Sequence, residues 1–99
     1  MAIDAILLQP TDNVATAVQE LKAGQKAAVR TGTELHYVMI EEPIPYGHKF
    51  SVRDISLGEH ILKYGEVIGQ ATANIGIGHH AHVQNIESLR GRGDLQGEV

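Results

Sequence analysis

Histidine is concentrated in one short segment whose spacing suits ligand binding. Six histidines occur in 99 residues, and three of them, His79, His80 and His82, lie in the run GHHAHVQN. If this run is a strand, His80 and His82 point to one face together with Gln84, and His79 points to the other. Two imidazoles on one face could hold a divalent metal ion, or bind a hydroxyl or carboxylate group. The plainer alternative is a solvated polar strand edge, and spacing alone favours that alternative.

A second polar pair follows a rigid turn. His48 and Lys49 come directly after Pro45-Tyr46-Gly47, and the proline and glycine can aim both side chains at a ligand. A lysine beside a histidine can bind an acid group while the imidazole handles a proton or a metal ion. The alternative is the polar start of a strand after a loop.

A third polar group is the run Lys63-Tyr64-Gly65-Glu66. Lys63 could bind a carboxylate, with Glu66 paired to it. The alternative is a hairpin that carries a surface ion pair, worth about 0.2–1 kcal/mol. The sequence has no P-loop, nucleophile elbow, complete dinucleotide fingerprint or HExxH motif, so these groups do not form a self-contained active site.

Composition narrows the class of protein. The chain carries a net charge of -4 with scattered basic residues, so nucleic-acid binding is not expected. Cysteine is absent, which excludes disulfides, thiolate metal sites and a cysteine nucleophile. The N-terminus MAIDAILLQPTD lacks the pattern of a signal peptide, and no apolar run reaches the ~20 residues that span a membrane. We therefore expect a soluble, cytoplasmic protein without a membrane partner.

One short helix is expected to position the first half of the chain. Asp12 can act as its N-cap, and Val14, Val18 and Leu21 recur at helical spacing before Gly24. This pattern predicts a helix near residues 13–23, after a first strand over 3–8.

Short strands separated by glycines are expected elsewhere. Alternation predicts a strand around Leu35–Met39, and further short strands at 48–55, 61–64, 66–68 and 80–83. The chain is therefore predicted to be mostly β, a compact barrel or clip with that one helix. We expect a single domain over residues 1–89, followed by a flexible tail, RGRGDLQGEV, at 90–99.

Four consecutive motifs resemble one known family. They are I-P-x-G-H-K at 44–49, D-I-x-x-G-E at 54–59, K-Y-G-E-x-I-G-x-A at 63–71 and I-x-x-G-x-x-x-H-x-x-N at 75–85. Together they are similar to the SAF domain, the β-clip module of altronate and galactarate dehydratases. The resemblance covers nearly half of the chain.

The resemblance implies the small accessory subunit of a sugar-acid dehydratase, a hydro-lyase subunit that is inactive alone. A large catalytic subunit would carry most of a metal-assisted β-elimination, with Fe²⁺ or Mn²⁺ bound mainly by that partner. The resemblance also implies roles for seven residues. His48, Lys49 and Lys63 would be catalytic, Tyr64 and Asn85 would bind the substrate, and His80 and His82 would bind the metal ion.

Other interpretations stay open at this stage. A relative, the small subunit of sulfolactate sulfo-lyase, tends to have histidine before the closing asparagine, whereas this chain has Gln84 there, as the altronate type does. The chain could also be a non-catalytic module that binds a sugar acid or a protein. The isolated chain could also form a homo-oligomer.

Overall fold

The described chain folds into two β-sheets whose strand pairs are mostly antiparallel. The computed structural model describes residues 3–89. Its strands are β1 (Ala5–Ile6), β2 (Val14–Ala17), β3 (Lys26–Thr31), β4 (Glu34–Met39), β5 (Lys49–Ser51), β6 (His60–Lys63), β7 (Glu66–Ala71) and β8 (Ile86–Ser88). A five-stranded sheet has the order β4-β3-β1-β2-β5, and a three-stranded sheet has the order β6-β7-β8. Only the β1–β3 pair among these strands is parallel. The mostly-β prediction is confirmed.

The helix predicted near residues 13–23 is wrong. Val14–Ala17 form β2, which pairs with β1 and with β5. Of the three residues whose spacing suggested a helix, only Val14 lies in this strand, whereas Val18 is exposed and Leu21 forms a separate bridge with Ile44. Tertiary pairing on both sides outweighs a weak local helix preference.

A local turn recurs four times and organises both sheets. Each copy has a buried aliphatic residue followed three positions later by a glycine with φ between +82° and +88°. In each copy the residue after the glycine donates its N–H to the carbonyl three positions earlier, as in a type II turn. The four copies start at Leu21, Ile44, Ile55 and Ile75.

These turns associate in pairs. Leu21 forms a β-bridge with Ile44, and Ile55 forms one with Ile75. A third bridge joins Phe50 to His80. The chain reverses direction at each of these turns. In two of the four copies the residue after the glycine is a histidine, His48 or His79.

Two apolar clusters form the core. One, around the fully buried Phe50, is formed mainly by side chains of the five-stranded sheet and of the turns next to it. The other, around Ile61, lies beneath the three-stranded sheet. The Asn13 side chain joins the two units, because its amide donates to the His60 carbonyl and accepts from the Leu62 N–H.

Two other expectations concern the chain after residue 79. The strand predicted at 80–83 is wrong: His80 makes a single bridge, and residues 83–85 form a turn. The predicted tail at 90–99 lies outside the described residues. Within residues 3–89, no helix has the length and apolar character needed to cross a membrane.

Candidate functional site

Three imidazoles from two distant segments meet at one surface. The His48 ring stacks on the His82 ring with centroids 3.9 Å apart, and it lies 5.1 Å from the His80 ring. The three ring planes are within 17° of parallel. The Phe50–His80 bridge brings the segments together, because it places β5, which follows His48, beside the second histidine segment. We call His48, His80 and His82 the histidine cluster.

Hydrogen bonds assign the tautomers within the histidine cluster. The Gln84 side-chain nitrogen is 2.9 Å from Nδ1 of His80, and an amide N–H can only donate there. Nε2 of His80 therefore carries the proton and donates to Nδ1 of His48, 2.9 Å away. The Gln84 amide thus orders the hydrogen bonds of the His80 and His48 rings in one direction.

Two lysines border the cluster. Nζ of Lys49 lies 3.3 Å from Nδ1 of His82, to which it donates. Lys63 reaches the same place from the end of β6. Both lysines line an open cavity of about 290 Å³ whose other walls are Tyr64, Ile68, His82, Val83, Ile86 and Ser88. None of these described lining residues is acidic.

The surroundings favour the neutral form of the His80 and His82 imidazoles. Partial burial and then the positive charge of Lys49 lower the pKa of His82 to about 4. Burial also lowers the pKa of His80, which the Glu42 carboxylate partly opposes. The pKa of Lys49 is lowered by burial and by the nearby Lys63. At neutral pH the rings of His80 and His82 are therefore uncharged, and their Nδ1 lone pairs accept from Gln84 and Lys49.

These rings offer the donor atoms that a divalent cation needs, but their arrangement would have to change. An imidazole binds a metal ion in the plane of its ring, and the stacked His48 and His82 rings cannot both point at one ion until one of them turns. One ring nitrogen from each of the three histidines lies within 4.8 Å of the others, and all three side chains are half-buried. Neutral imidazole nitrogen is a common ligand for iron, zinc, copper and nickel. The described part of the chain adds no carboxylate to this group, so remaining ligands would have to come from water, substrate or another chain.

The predicted site residues are distributed unevenly. His48, Lys49, Lys63, His80 and His82 come together as described, and Tyr64, which is 56% exposed, lines the same cavity. Asn85 instead braces the loop that carries the histidines. Its amide donates to the His80 carbonyl at 2.8 Å and accepts from the His82 N–H at 2.9 Å.

Two acidic residues, Glu42 and Asp12, position the site. The sequence assigned no role to Glu42 and suggested a different role, helix capping, for Asp12. Oε2 of Glu42 accepts from the His80 backbone N–H and from Nδ1 of His79, both at 3.0 Å, which turns His79 away from the cluster. Asp12 is fully buried and accepts from the N–H groups of Tyr64 and Gly65. Asp12 therefore fixes the hairpin turn beside Lys63 and does not cap a helix.

The Tyr64–Gly65 turn also has a local signal. Both residues have positive φ, 61° and 73°, as expected for the two central residues of a type I′ hairpin. Tyrosine is unusual in this conformation, and the buried carboxylate of Asp12 compensates by binding both backbone amides. The signal in the sequence was the tyrosine before the glycine of a hairpin turn, because a bulky residue at that position needs a side chain elsewhere to stabilise the turn.

A second cavity lacks this combination of groups. It measures about 280 Å³ and lies beside β3 and β4. Its one arginine, Arg53, donates to the carbonyls of Asp12 and Pro10, so the guanidinium serves the fold. The cavity at the histidine cluster is the better candidate for chemistry.

Comparisons with known proteins agree on one family. The model of a family described as "Altronate/galactarate dehydratase SAF domain" matches residues 3–89. Altronate dehydratase of Escherichia coli is 38% identical over 80 residues, covering 81% of this chain and 15% of that enzyme. (2R)-Sulfolactate sulfo-lyase subunit alpha of Chromohalobacter salexigens is 32% identical over 93 residues, covering 91% of this chain and 99% of that subunit. Galactarate dehydratase (L-threo-forming) of Escherichia coli is 41% identical over 70 residues, 12% of its length. The chain thus spans a small part of the dehydratases and nearly all of a separate subunit.

Proposed function

We propose that this chain, which belongs to the SAF-domain family of altronate and galactarate dehydratases, is the small subunit of a lyase that removes water from a sugar acid. A much larger catalytic region would complete the enzyme. Support comes from the lengths of the relatives, since the chain corresponds to 15% of a dehydratase and to 99% of a protein named as a subunit.

The observation that carries the proposal is the meeting of Lys49, Lys63 and His82 at one open cavity, with the other two imidazoles of the histidine cluster packed behind His82. Lys49 and Lys63 would bind the carboxylate of the sugar acid through charge-assisted hydrogen bonds. The Tyr64 side chain, on the same wall, would contact the sugar hydroxyls.

The histidine cluster would hold a divalent ion, iron or manganese, together with ligands from the large region. When bound, such an ion supplies Lewis-acid stabilisation of negative charge on oxygen. The sequence assigned metal binding to His80 and His82 alone, and the position of His48 extends the proposed set to three. Asn85, Gln84 and Glu42 keep these rings in place.

The reaction would be a β-elimination. A base takes the proton from the carbon next to the carboxylate, and the electron pair left there forms a double bond to the β-carbon as the bond from that carbon to its hydroxyl breaks. The leaving hydroxyl takes up a proton from the protonated base or from another acid of the large region and departs as water. The base and most substrate contacts would belong to the large region, since the described part of this chain contributes one open, half-exposed wall.

A second candidate has its own support. The full-length correspondence with a sulfo-lyase subunit favours elimination of sulfite from a sulfonated hydroxy acid. The same pair of lysines suits a carboxylate or a sulfonate, because both are anions with oxygen acceptors. The altronate-type assignment is retained as the first proposal because of Gln84.

The test is reconstitution with a large catalytic subunit of the same family from the same organism. Altronate, galactarate and sulfolactate are assayed with each chain alone and with the pair. We expect turnover of altronate or galactarate only by the pair, and a KM at least about tenfold higher for Lys49→Gln or Lys63→Gln because each removes a charge-assisted contact. Lys22→Gln, at an exposed position outside the cavity, is the matched control.

The outcomes separate the candidates. Turnover of sulfolactate alone would select the second candidate. Full activity of the large region without this chain would refute a subunit role. Binding of a sugar acid by this chain with no turnover by the pair, and no effect of a chelator, would indicate a non-catalytic binding module.

A further inference from the structure

One side of the five-stranded sheet faces away from the core. Side chains alternate along a strand, so residues paired across neighbouring strands share a side of the sheet. The alternate residues, such as Val29 and Ala17, pack in the core around Phe50. On the other side, one row of paired residues crosses all five strands: Leu35, Arg30, Ile6, Thr16 and Lys49. We call the side of the sheet that carries this row the open face.

The open face is apolar where a solvated sheet is normally polar. Large apolar side chains that are each at least 36% exposed lie on it, two or four positions from a member of the row or within it: Leu8, Val18, Leu35, Tyr37 and Met39. They continue into a corner cavity of about 200 Å³, where Lys63 and Tyr64 of the neighbouring hairpin form the far wall. A continuous exposed apolar patch of this kind marks an interaction site.

The charge of the open face is opposite in sign to that of the whole chain. The chain has a net charge of -4. The acidic side chain at the edge of the row, Asp4, is already engaged, because its carboxylate accepts from the Ala28 N–H at 2.8 Å and from the Gln19 side chain. Four of the six lysines and arginines in residues 3–89 lie on or beside this face: Lys26, Arg30, Lys49 and Lys63. These cations favour a protein partner that is apolar at its centre and acidic at its rim.

A second copy of this chain fits the open face poorly. In a symmetric dimer both chains use the same patch, so a positively charged surface would face another of the same sign. A large catalytic subunit fits better because of where the row ends. Lys49 lies at that end, and the corner cavity shares Lys63 and Tyr64 with the cavity beside the histidine cluster. A protein seated on the open face would therefore reach the mouth of that cavity.

We infer that the open face is the surface on which the large catalytic subunit docks, with Leu35 and Arg30 inside the interface and Lys49 at the edge where the site is completed. The identity of the partner rests on the proposed function, whereas the position of the interface rests on the sheet itself. Tyrosine, methionine and arginine are enriched in the cores of protein interfaces, and Tyr37, Met39 and Arg30 supply all three types.

The experiment measures, by calorimetry, the affinity of the full chain for a large catalytic subunit of the same family from the same organism. Leu35→Asp puts a charge at an apolar position of the open face, and Arg30→Glu reverses a charge there. We expect each substitution to raise the Kd by about tenfold or more, which corresponds to ~1.4 kcal/mol.

Two matched controls separate the open face from general effects. Leu57→Asp introduces the same charge at a leucine that is 65% exposed in the turn before β6. Lys22→Glu changes the net charge as much as Arg30→Glu does, at an exposed position before β3 and outside the row. Both controls should keep the Kd within about twofold of the unmodified chain. Urea unfolding of every variant verifies that the fold is retained.

Sedimentation of the chain alone tests the second copy as occupant, and we expect a monomer. Three results would overturn the inference: unchanged affinity of both Leu35→Asp and Arg30→Glu, equal weakening by the controls, or a dimer of the chain alone that Leu35→Asp dissociates. The proposed function is judged separately, by turnover. An active pair whose affinity ignores the open face would keep the lyase assignment and reject this interface. A complex that both substitutions weaken, but that turns over none of the three acids, would keep the interface and reject the lyase assignment.

Discussion

Replacing Gly78 with alanine should disturb the fold far more than the same change at an equivalent turn. Gly78 belongs to the turn that begins at Ile75, and its φ is +85°. A Cβ atom there would lie 2.0 Å from the carbonyl oxygen of Met39, which is backbone and has no rotamer to escape into. Gly58 occupies the same place in its own turn, with φ +88° and nothing within 4 Å of a Cβ.

The expected cost has two parts. The left-handed conformation costs alanine about 1–2 kcal/mol at either site. At Gly78 the turn must also move away from Met39, which weakens the bonds from Gly78 N–H to Ser51 and from Glu41 N–H to Gly78. Each such bond contributes about 0.5–1.5 kcal/mol. We therefore expect a loss of about 2–5 kcal/mol for Gly78→Ala and of about 1–2 kcal/mol for Gly58→Ala.

Urea unfolding and thermal melts of both variants test this reasoning. In a domain of this size 1 kcal/mol shifts Tm by roughly 4–8 °C, so the two variants should be well separated. A Gly78→Ala variant too unstable to purify, beside a folded Gly58→Ala variant, would agree with the calculation. Equal losses of stability at the two sites would show that the close approach to Met39 contributes nothing.

Three further predictions concern the buried and titrating groups. Asp12→Ala should lower the free energy of unfolding in urea by about 3 kcal/mol or more, because buried backbone amides lose a charged acceptor. Asp54→Ala, at an exposed position where one backbone amide bond is lost, should lower it by less than about 1 kcal/mol. Equal losses for the two variants would contradict the role of Asp12. Phe50→Ala should cost ~3–5 kcal/mol through the cavity it leaves, against a change within about 0.5 kcal/mol for the 72% exposed Tyr46→Ala. Because the pKa of His82 is about 4 in the fold and about 6.5 in the unfolded chain, only the unfolded chain binds that proton between these values. Stability of the metal-free protein should thus fall as pH drops from about 6.5 to about 4, and an NMR titration placing the His82 pKa near 6.5 would contradict this.

Much of the site was visible in the sequence because it depends on local rules. The glycines that follow Ile44, Ile55 and Ile75 at a constant spacing mark identical turns, and the sequence indicated short strands separated by glycines. The hairpin at Tyr64 and Gly65 also follows from nearest neighbours, whereas His80 and His82 come together in a bridge and a turn and not in the strand that was predicted. Family motifs then indicated which of these polar groups belong together.

Other features depended on contacts that spacing cannot encode. Asp12 looks like a helix cap in the sequence, yet besides the nearby Gln9 N–H its carboxylate accepts from the N–H groups of Tyr64 and Gly65, more than 50 residues away. Asn85 looks like a ligand contact, and its amide binds the backbone of its own loop. A polar side chain of this type serves whichever free backbone group the fold brings to it.

Features that the sequence predicts and features that only the folded chain shows differ for one physical reason, the distance along the chain over which they are decided. Turn geometry and the direction of neighbouring side chains are set by backbone sterics within a few residues, so the sequence by itself determined the turns, the short strands and the residue types available for chemistry. The meeting of His48 with His80, 32 positions later, depends on the Phe50–His80 bridge and on the buried cluster around Phe50. Only the packing of the whole core decides which surface segments face one another, and that packing brought the two lysines to a cavity beside the histidine cluster.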